Sequence, residues 1–129
     1  MFDHVSITVS DLDAAEPFYD AIMAALGVVK VGKRADWLGY GERADGEHPD
    51  RVFMSVRKGD RPNPAYGRHW CFKAIDRPTV DAFWHAGLAH GGVDQGPPGL
   101  RLNYHPSYYA AFVADLEGNR LEAVCHKVF

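Results

Sequence analysis

The sequence predicts an α+β fold of two βαβββ modules in tandem, and three observations carry that expectation. The first is an internal repeat. A shift of 65 positions lays His69 over His4, Phe83-Trp84-His85-Ala86 over Phe18-Tyr19-Asp20-Ala21, Leu88-Ala89 over Met23-Ala24, and Gly92 over Gly27. Two amphipathic helices match at a few apolar positions by chance. A strand histidine and a terminal glycine kept in the same register point instead to duplication. The second observation is that the order of periodicities recurs: strand alternation, helical spacing, then short strand-like runs, once before and once after Gly67. The third is length, since 129 residues make one domain with a sizeable core. The repeats, about 2–57 and 67–126, are thus halves of one domain, 1–129, joined by a linker at 58–66 that carries Gly59, Pro62 and Pro64.

In chain order, Asp3 to Val9 alternates, with Val5, Ile7 and Val9 on one face and His4, Ser6 and Thr8 on the other. Ser10 or Asp11 caps the following helix, and Gly27 stops it behind an apolar stripe of Ala15, Phe18, Ile22, Ala25 and Leu26. Pro17 is compatible with that helix only within about a turn of its start. Strands are predicted at 28–31, 37–41 and 51–56, with a polar surface loop between the last two that holds Gly46 and Pro49. The second half repeats the plan: strand 68–74, helix about 78–90, then a Gly/Pro-rich loop from Gly91 to Gly99. Strands follow at 100–104, 108–114 and 120–126, the last two flanking the hairpin turn Asp115 to Asn119. A curved sheet with a helix on its back leaves the concave face open, and pairing two such sheets encloses a cavity.

Composition removes several classes of function. The net charge is −3 with no Lys/Arg stripe, which excludes the electrostatic footprint of a nucleic-acid binder. No apolar run reaches the roughly 20 residues of a membrane span, and Met1-Phe2-Asp3 does not open a signal peptide, so a cytoplasmic protein is expected. Two cysteines, Cys71 and Cys125, are too few for a disulfide scaffold, and both are expected as buried reduced thiols.

Seven histidines raise the question of a metal. With Val5, Ile7 and Val9 packed on the helix, His4 faces the concave side, and by the repeat so does His69. In the last strand Leu121, Ala123 and Cys125 form one face, and Glu122, Val124 and His126 the other. A carboxylate amid apolar strand residues is costly unless paired or metal-bound. His4, His69 and Glu122 therefore form a candidate metal site that leaves positions open for water or substrate on Fe, Mn, Zn, Ni or Co. A lone strand histidine more often serves as a hydrogen-bonded core or edge residue; the repeated pair with a glutamate favours ligation.

These residues also carry a family resemblance. Asp3-His4-Val5-Ser6-Ile7-Thr8-Val9-Ser10-Asp11-Leu12 with Phe18-Tyr19 resembles the opening of the vicinal oxygen chelate superfamily of glyoxalases, bleomycin-resistance proteins and extradiol dioxygenases. Gly67-Arg68-His69-Trp70-Cys71-Phe72 resembles its second-module strand. Tyr104 to Val113 with Asp115 to Cys125 resembles its final hairpin, where the family glutamate falls on Glu122. The resemblance spans nearly the whole chain and is weakest between about 28 and 66. It implies a U-shaped, eight-stranded open barrel with a helix outside each module, a divalent metal held by His4, His69 and Glu122, and a homodimer. One departure matters for the reaction. Glu122 maps back onto Arg57, and Ser55, Val56 and Arg57 supply no fourth carboxylate. That speaks against a four-ligand glyoxalase and suits dioxygenase-like or fosfomycin-resistance-like members better.

Around this centre, Tyr104, His105 and Tyr109 are candidate acid–base residues. Arg101, Tyr108 and Trp70 are candidate substrate contacts, Arg101 through bidentate binding of a carboxylate or phosphate. The competing reading has the aromatics packing the wall and Arg101 solvated, with Trp37, Trp70, Phe72 and Tyr40 in the core. His85 and His90 are expected in solvent, His48 has no assigned role, and His126 is a spare ligand. The expected function is that of a small metal-dependent lyase, isomerase or dioxygenase acting on a small molecule. The alternative is a non-catalytic cup that sequesters a compound in the bleomycin-resistance manner.

Overall fold

Alternation in the first strand decides how the molecule is layered. The structure is a computed structural model that describes residues 1–63 and 67–128, so Pro64, Ala65 and Tyr66 of the expected linker lie outside the described residues. Strand β1 (His4–Val9) buries Ile7 and Val9 and leaves His4, Ser6 and Thr8 exposed on the other face. Helix α1 (Leu12–Ala25) is capped by the Asp11 side chain, which accepts from the Ala14 amide at 3.0 Å. Pro17 lies inside this helix, more than a turn from its start, contrary to the sequence expectation. The helix forgoes one backbone bond there. The buried stripe of Leu12, Ala15, Phe18, Tyr19, Ile22 and Met23 holds it against the sheet. Its C-terminus closes through the Gly27 amide on Ala24 O and the Val28 amide on Met23 O.

Strands β2 (Lys30–Arg34), β3 (Trp37–Gly41) and β4 (Phe53–Lys58) complete the first module. Two of them sit two residues later than the sequence suggests. Val28 is used by the helix terminus, and β4 starts where Phe53 falls opposite His4. Strand β5 (His69–Lys73) and helix α2 (Arg77–Ala89) follow, with Asp76 accepting from the Thr79 amide and hydroxyl.

The largest correction concerns β6 (Val93–Leu100), which occupies the stretch expected as a loop, while 101–104 forms the turn expected as a strand. Pro97 and Pro98 are tolerated because β6 is an edge strand and its pairing with β7 shifts register between Gly96 and Gly99. Gly96 takes a φ of 153° at that irregularity, a backbone position that excludes most side chains. Strands β7 (Tyr109–Ala114) and β8 (Arg120–Cys125) form the expected hairpin.

The result is two four-stranded sheets of matching order, β1-β4-β3-β2 and β5-β8-β7-β6. In each, the outer pair β1–β4 or β5–β8 is parallel and the rest antiparallel. Both helices lie on the same side, touching each other, and one core runs across the modules: Phe18, Tyr19 and Ile22 of α1 join Phe83 of α2, Val113 of β7, and Leu121 and Ala123 of β8. Polar bonds lock the same seam. Tyr19 donates to Asp115 at 2.5 Å, Asn119 Nδ2 donates to Thr8 O at 3.0 Å, and Glu117 accepts from the Ser10 amide and hydroxyl and the Asp11 amide. Cys125 is buried as expected, but Cys71 is exposed because it lies on the face away from the helices.

Candidate metal centre

The β7–β8 hairpin sets the position of Glu122. Counting back from its turn places Phe112 opposite Glu122 on one side, and the parallel neighbour β5 places Cys71 opposite it on the other. Leu121, Ala123 and Cys125 enter the core, so Glu122 points to the open face, yet it is only 2% exposed. Both carboxylate oxygens are engaged. His69 Nε2 lies 3.0 Å from Oε1, and the Tyr108 hydroxyl donates to Oε2 at 2.5 Å. A buried carboxylate is tolerated on these terms. Desolvation first, then the bond to Glu122, push the Tyr108 phenol well above its ordinary pKa, so it stays protonated and donates. Desolvation and the neighbouring Glu122 charge push the Cys71 thiol up to about 12. Although Cys71 is exposed as a residue, its sulphur end adjoins the carboxylate and Tyr108.

The spacing of this pair suits a cation. Two ligand atoms each roughly 2.1 Å from a metal, at right angles, stand about 3.0 Å apart, and the His69–Glu122 separation is 3.0 Å. His4 does not join them within one chain. It is exposed on the first module's sheet, with Nδ1 2.8 Å from Asp3. Among the described residues no group of three His, Cys, Asp or Glu side chains is placed to hold a metal.

The first module has no matching carboxylate. Ser55 faces Ser6 as Glu122 faces Cys71, so Ser55 is the counterpart of Glu122, whereas the sequence repeat pointed to Arg57. Ser6 and Ser55 hydrogen-bond to each other at 2.9 Å.

The remaining predicted site residues divide. Tyr108 belongs to the centre through Glu122 rather than standing apart as a substrate contact. Tyr104 is 60% exposed, in the turn before β7, its ring 4.8 Å from that of Tyr108. His105 receives the Ser107 amide on Nδ1 and meets His126 Nδ1 with its Nε2 at 2.9 Å. An amide only donates, so the His105 proton sits on Nε2 and is given to His126, whose own N–H is then at Nε2. His126 is thereby a partner of His105 rather than an idle spare.

Tyr109 is misplaced by the sequence reading. Its hydroxyl bonds Asp81 on α2 at 2.6 Å and its ring packs with Val80 and Cys125, on the helix side of the sheet. Strand alternation forces this once Tyr108 faces the site. Trp70 likewise packs on the core side and lines a cavity of about 410 Å³ with Ser6, Thr8, Arg68 and Asn119, away from Glu122. Arg101 spends its guanidinium on Pro97 O and Gly99 O and lies over the Phe112 ring. Phe112, not singled out from sequence, forms the wall beside Glu122 with its ring 6.0 Å from that of His69. Counting pairs outward from the hairpin turn is the signal that finds it. A second cavity of about 490 Å³ meets this face only through Lys73, Val124 and His126, beyond Glu122 along the same strands.

Comparisons with known proteins bear on the architecture. No protein-family model matches the sequence, and no curated protein matches it. Solved structures do. A glyoxalase/bleomycin resistance protein from Albidiferax ferrireducens is 28% identical, with a TM-score of 0.79 over 98% of this chain and 99% of that one. A glyoxalase/bleomycin resistance protein/dioxygenase family enzyme from Burkholderia phytofirmans is 14% identical, with a TM-score of 0.70 over 97% and 98%. The fosfomycin resistance protein FosX from Listeria monocytogenes is 15% identical, with a TM-score of 0.67 over 99% and 94%. Repeat, strand order and neighbours agree, and the chain has the fold of the vicinal oxygen chelate superfamily.

Proposed function

We propose that the protein is a metal-dependent enzyme of the glyoxalase/dioxygenase type, acting on a small molecule held at a divalent metal. The observation that supports this most is the His69–Glu122 pair: an imidazole and a buried carboxylate 3.0 Å apart on the open face of the second sheet. Both are ligand types for Fe, Mn, Zn, Ni or Co. A structure of a FosX point mutant with Mn(II) and 1S,2S-dihydroxypropylphosphonic acid, 17% identical to this chain, is in keeping with such a use of the fold. When bound, the metal supplies a Lewis acid that holds substrate oxygens and stabilises the anion developing on them. The chain's own residues do the rest. Tyr108 orients Glu122, Phe112 walls the site, and His126 presents an N–H further along the same face.

The third ligand we assign is His4 of a second copy. His4 is the repeat counterpart of His69, faces outward from the first sheet, and does not reach Glu122 in its own chain. A twofold dimer supplies each site with the other copy's first module.

A binding protein without catalysis is favoured by a different observation, the aromatic group Tyr104, His105, Tyr108 and Phe112 gathered around the pair. Metal content by mass spectrometry of the purified protein, before and after chelation, separates the two. The enzyme reading expects about one equivalent per chain in a site of this kind, lost from His4→Ala, His69→Ala and Glu122→Ala while the fold survives. No metal after reconstitution sinks it and leaves the cup as a binding site.

A further inference from the structure

Tyr108 is held more firmly than a side chain serving only as pocket wall. Its amide bonds His105 O at 3.2 Å and its carbonyl accepts the Arg101 amide at 2.8 Å. Its ring lies between Tyr104, His105 and His126, with centroids 4.8, 5.4 and 5.3 Å away. The two imidazoles are themselves tied nitrogen to nitrogen and to the Ser107 amide, so they form a fixed bracket rather than a mobile lid. Its hydroxyl donates to Glu122 Oε2, with the Cys71 thiol beside the same pair.

We propose that Tyr108 is the positioning residue of the metal centre: by holding Oε2 it makes Oε1, the oxygen beside His69, the one that Glu122 offers to the metal. This inference rests on the proposed metal-centre reading. A glutamate free at both oxygens swivels between one-oxygen and two-oxygen chelation. With Oε2 accepting a hydrogen bond from the phenol, Glu122 would bind through one oxygen, and a coordination position that chelation would fill stays open for substrate. Partners of ligating carboxylates typically change metal affinity about 10–100-fold when removed.

The test is titration of the metal-free full-length protein with Mn(II) and Co(II), comparing wild type, Tyr108→Phe, Tyr104→Phe and Glu122→Gln. Tyr108→Phe keeps the ring and its packing, so thermal stability reports whether the bracket survives. The expected result is a loss of about tenfold or more in affinity for Tyr108→Phe. Its visible Co(II) spectrum should also change, because the freed oxygen alters the coordination number. Tyr104→Phe should match wild type in both. Wild-type affinity and spectrum in Tyr108→Phe overturn the inference while the metal centre stands. An equal loss in Tyr104→Phe overturns it too, since that marks general damage to the bracket. If wild type takes up no metal, or Glu122→Gln takes it up as well as wild type, the metal-centre reading falls and this inference with it.

Discussion

Glu122 and Glu117 show how one residue type serves two ends in neighbouring positions. Glu122 is buried on the open face with an imidazole and a phenol as partners, the arrangement of a site. Glu117 is buried at the seam, where it accepts the first amides of α1, the arrangement of a structural lock. Burial raises the Glu117 pKa, but the Ser10 and Asp11 amides outweigh that and hold it below its ordinary value. The sign follows. A depressed folded-state pKa contributes stability above the unfolded value of about 4.3, and the contribution vanishes as pH falls through the folded value. Glu117→Gln is therefore expected to lose about 1–3 kcal/mol at pH 7. Thermal unfolding of variant and wild type from pH 7 to 3 should show two curves that converge at the acid end. A constant gap at every pH would remove the charge from the explanation. The lock was not legible in sequence, because nothing local to Asp115–Asn119 tells that its carboxylate meets a helix start more than a hundred residues away.

Among the elements, α1 meets the second module in close contact at Gly92. A Cβ on Gly92 would lie 2.7 Å from both Gly87 O and the Phe18 ring and 2.9 Å from Val113. The glycine that the repeat places over Gly27 thus serves a different purpose in each module: Gly27 has open space around it and a φ of 77°, whereas Gly92 is wanted for close approach. Gly92→Ala should cost about 1–3 kcal/mol through overpacking, read as a lowered midpoint in urea, and an unchanged midpoint would show that α2 shifts freely. The helices were legible from periodicity and caps, because those signals are local. Strand β6 was not: Gly and Pro mark loops on average, and only the edge position in the sheet makes them acceptable in a strand.

At the scale of the whole molecule, one chain gathers two of the three expected ligands. His69 and Glu122 share adjacent parallel strands, whereas His4 stands on the other sheet. If the site is completed between copies, two defective chains should repair each other. Mixing His4→Ala with Glu122→Ala and allowing exchange should restore about a quarter of the wild-type metal capacity, since half the dimers are mixed and each has one intact site. No restoration, with exchange shown by labelled chains, would place all ligands in one chain.

The sequence by itself determined the module plan, the inward and outward faces of the first and last strands, and the pairing of a histidine with Glu122. All of these rest on short-range periodicity and an internal repeat, which the chain carries openly. Tertiary structure alone decided that Tyr108 rather than Tyr109 reaches the carboxylate, that Trp70 turns to the core, and that Ser55 stands where a fourth ligand would be. Each depends on strand register, where a slip of one residue exchanges the faces of a sheet and a slip of two replaces one partner by another. Register is set by long-range pairing and packing, which no local stretch of the chain encodes.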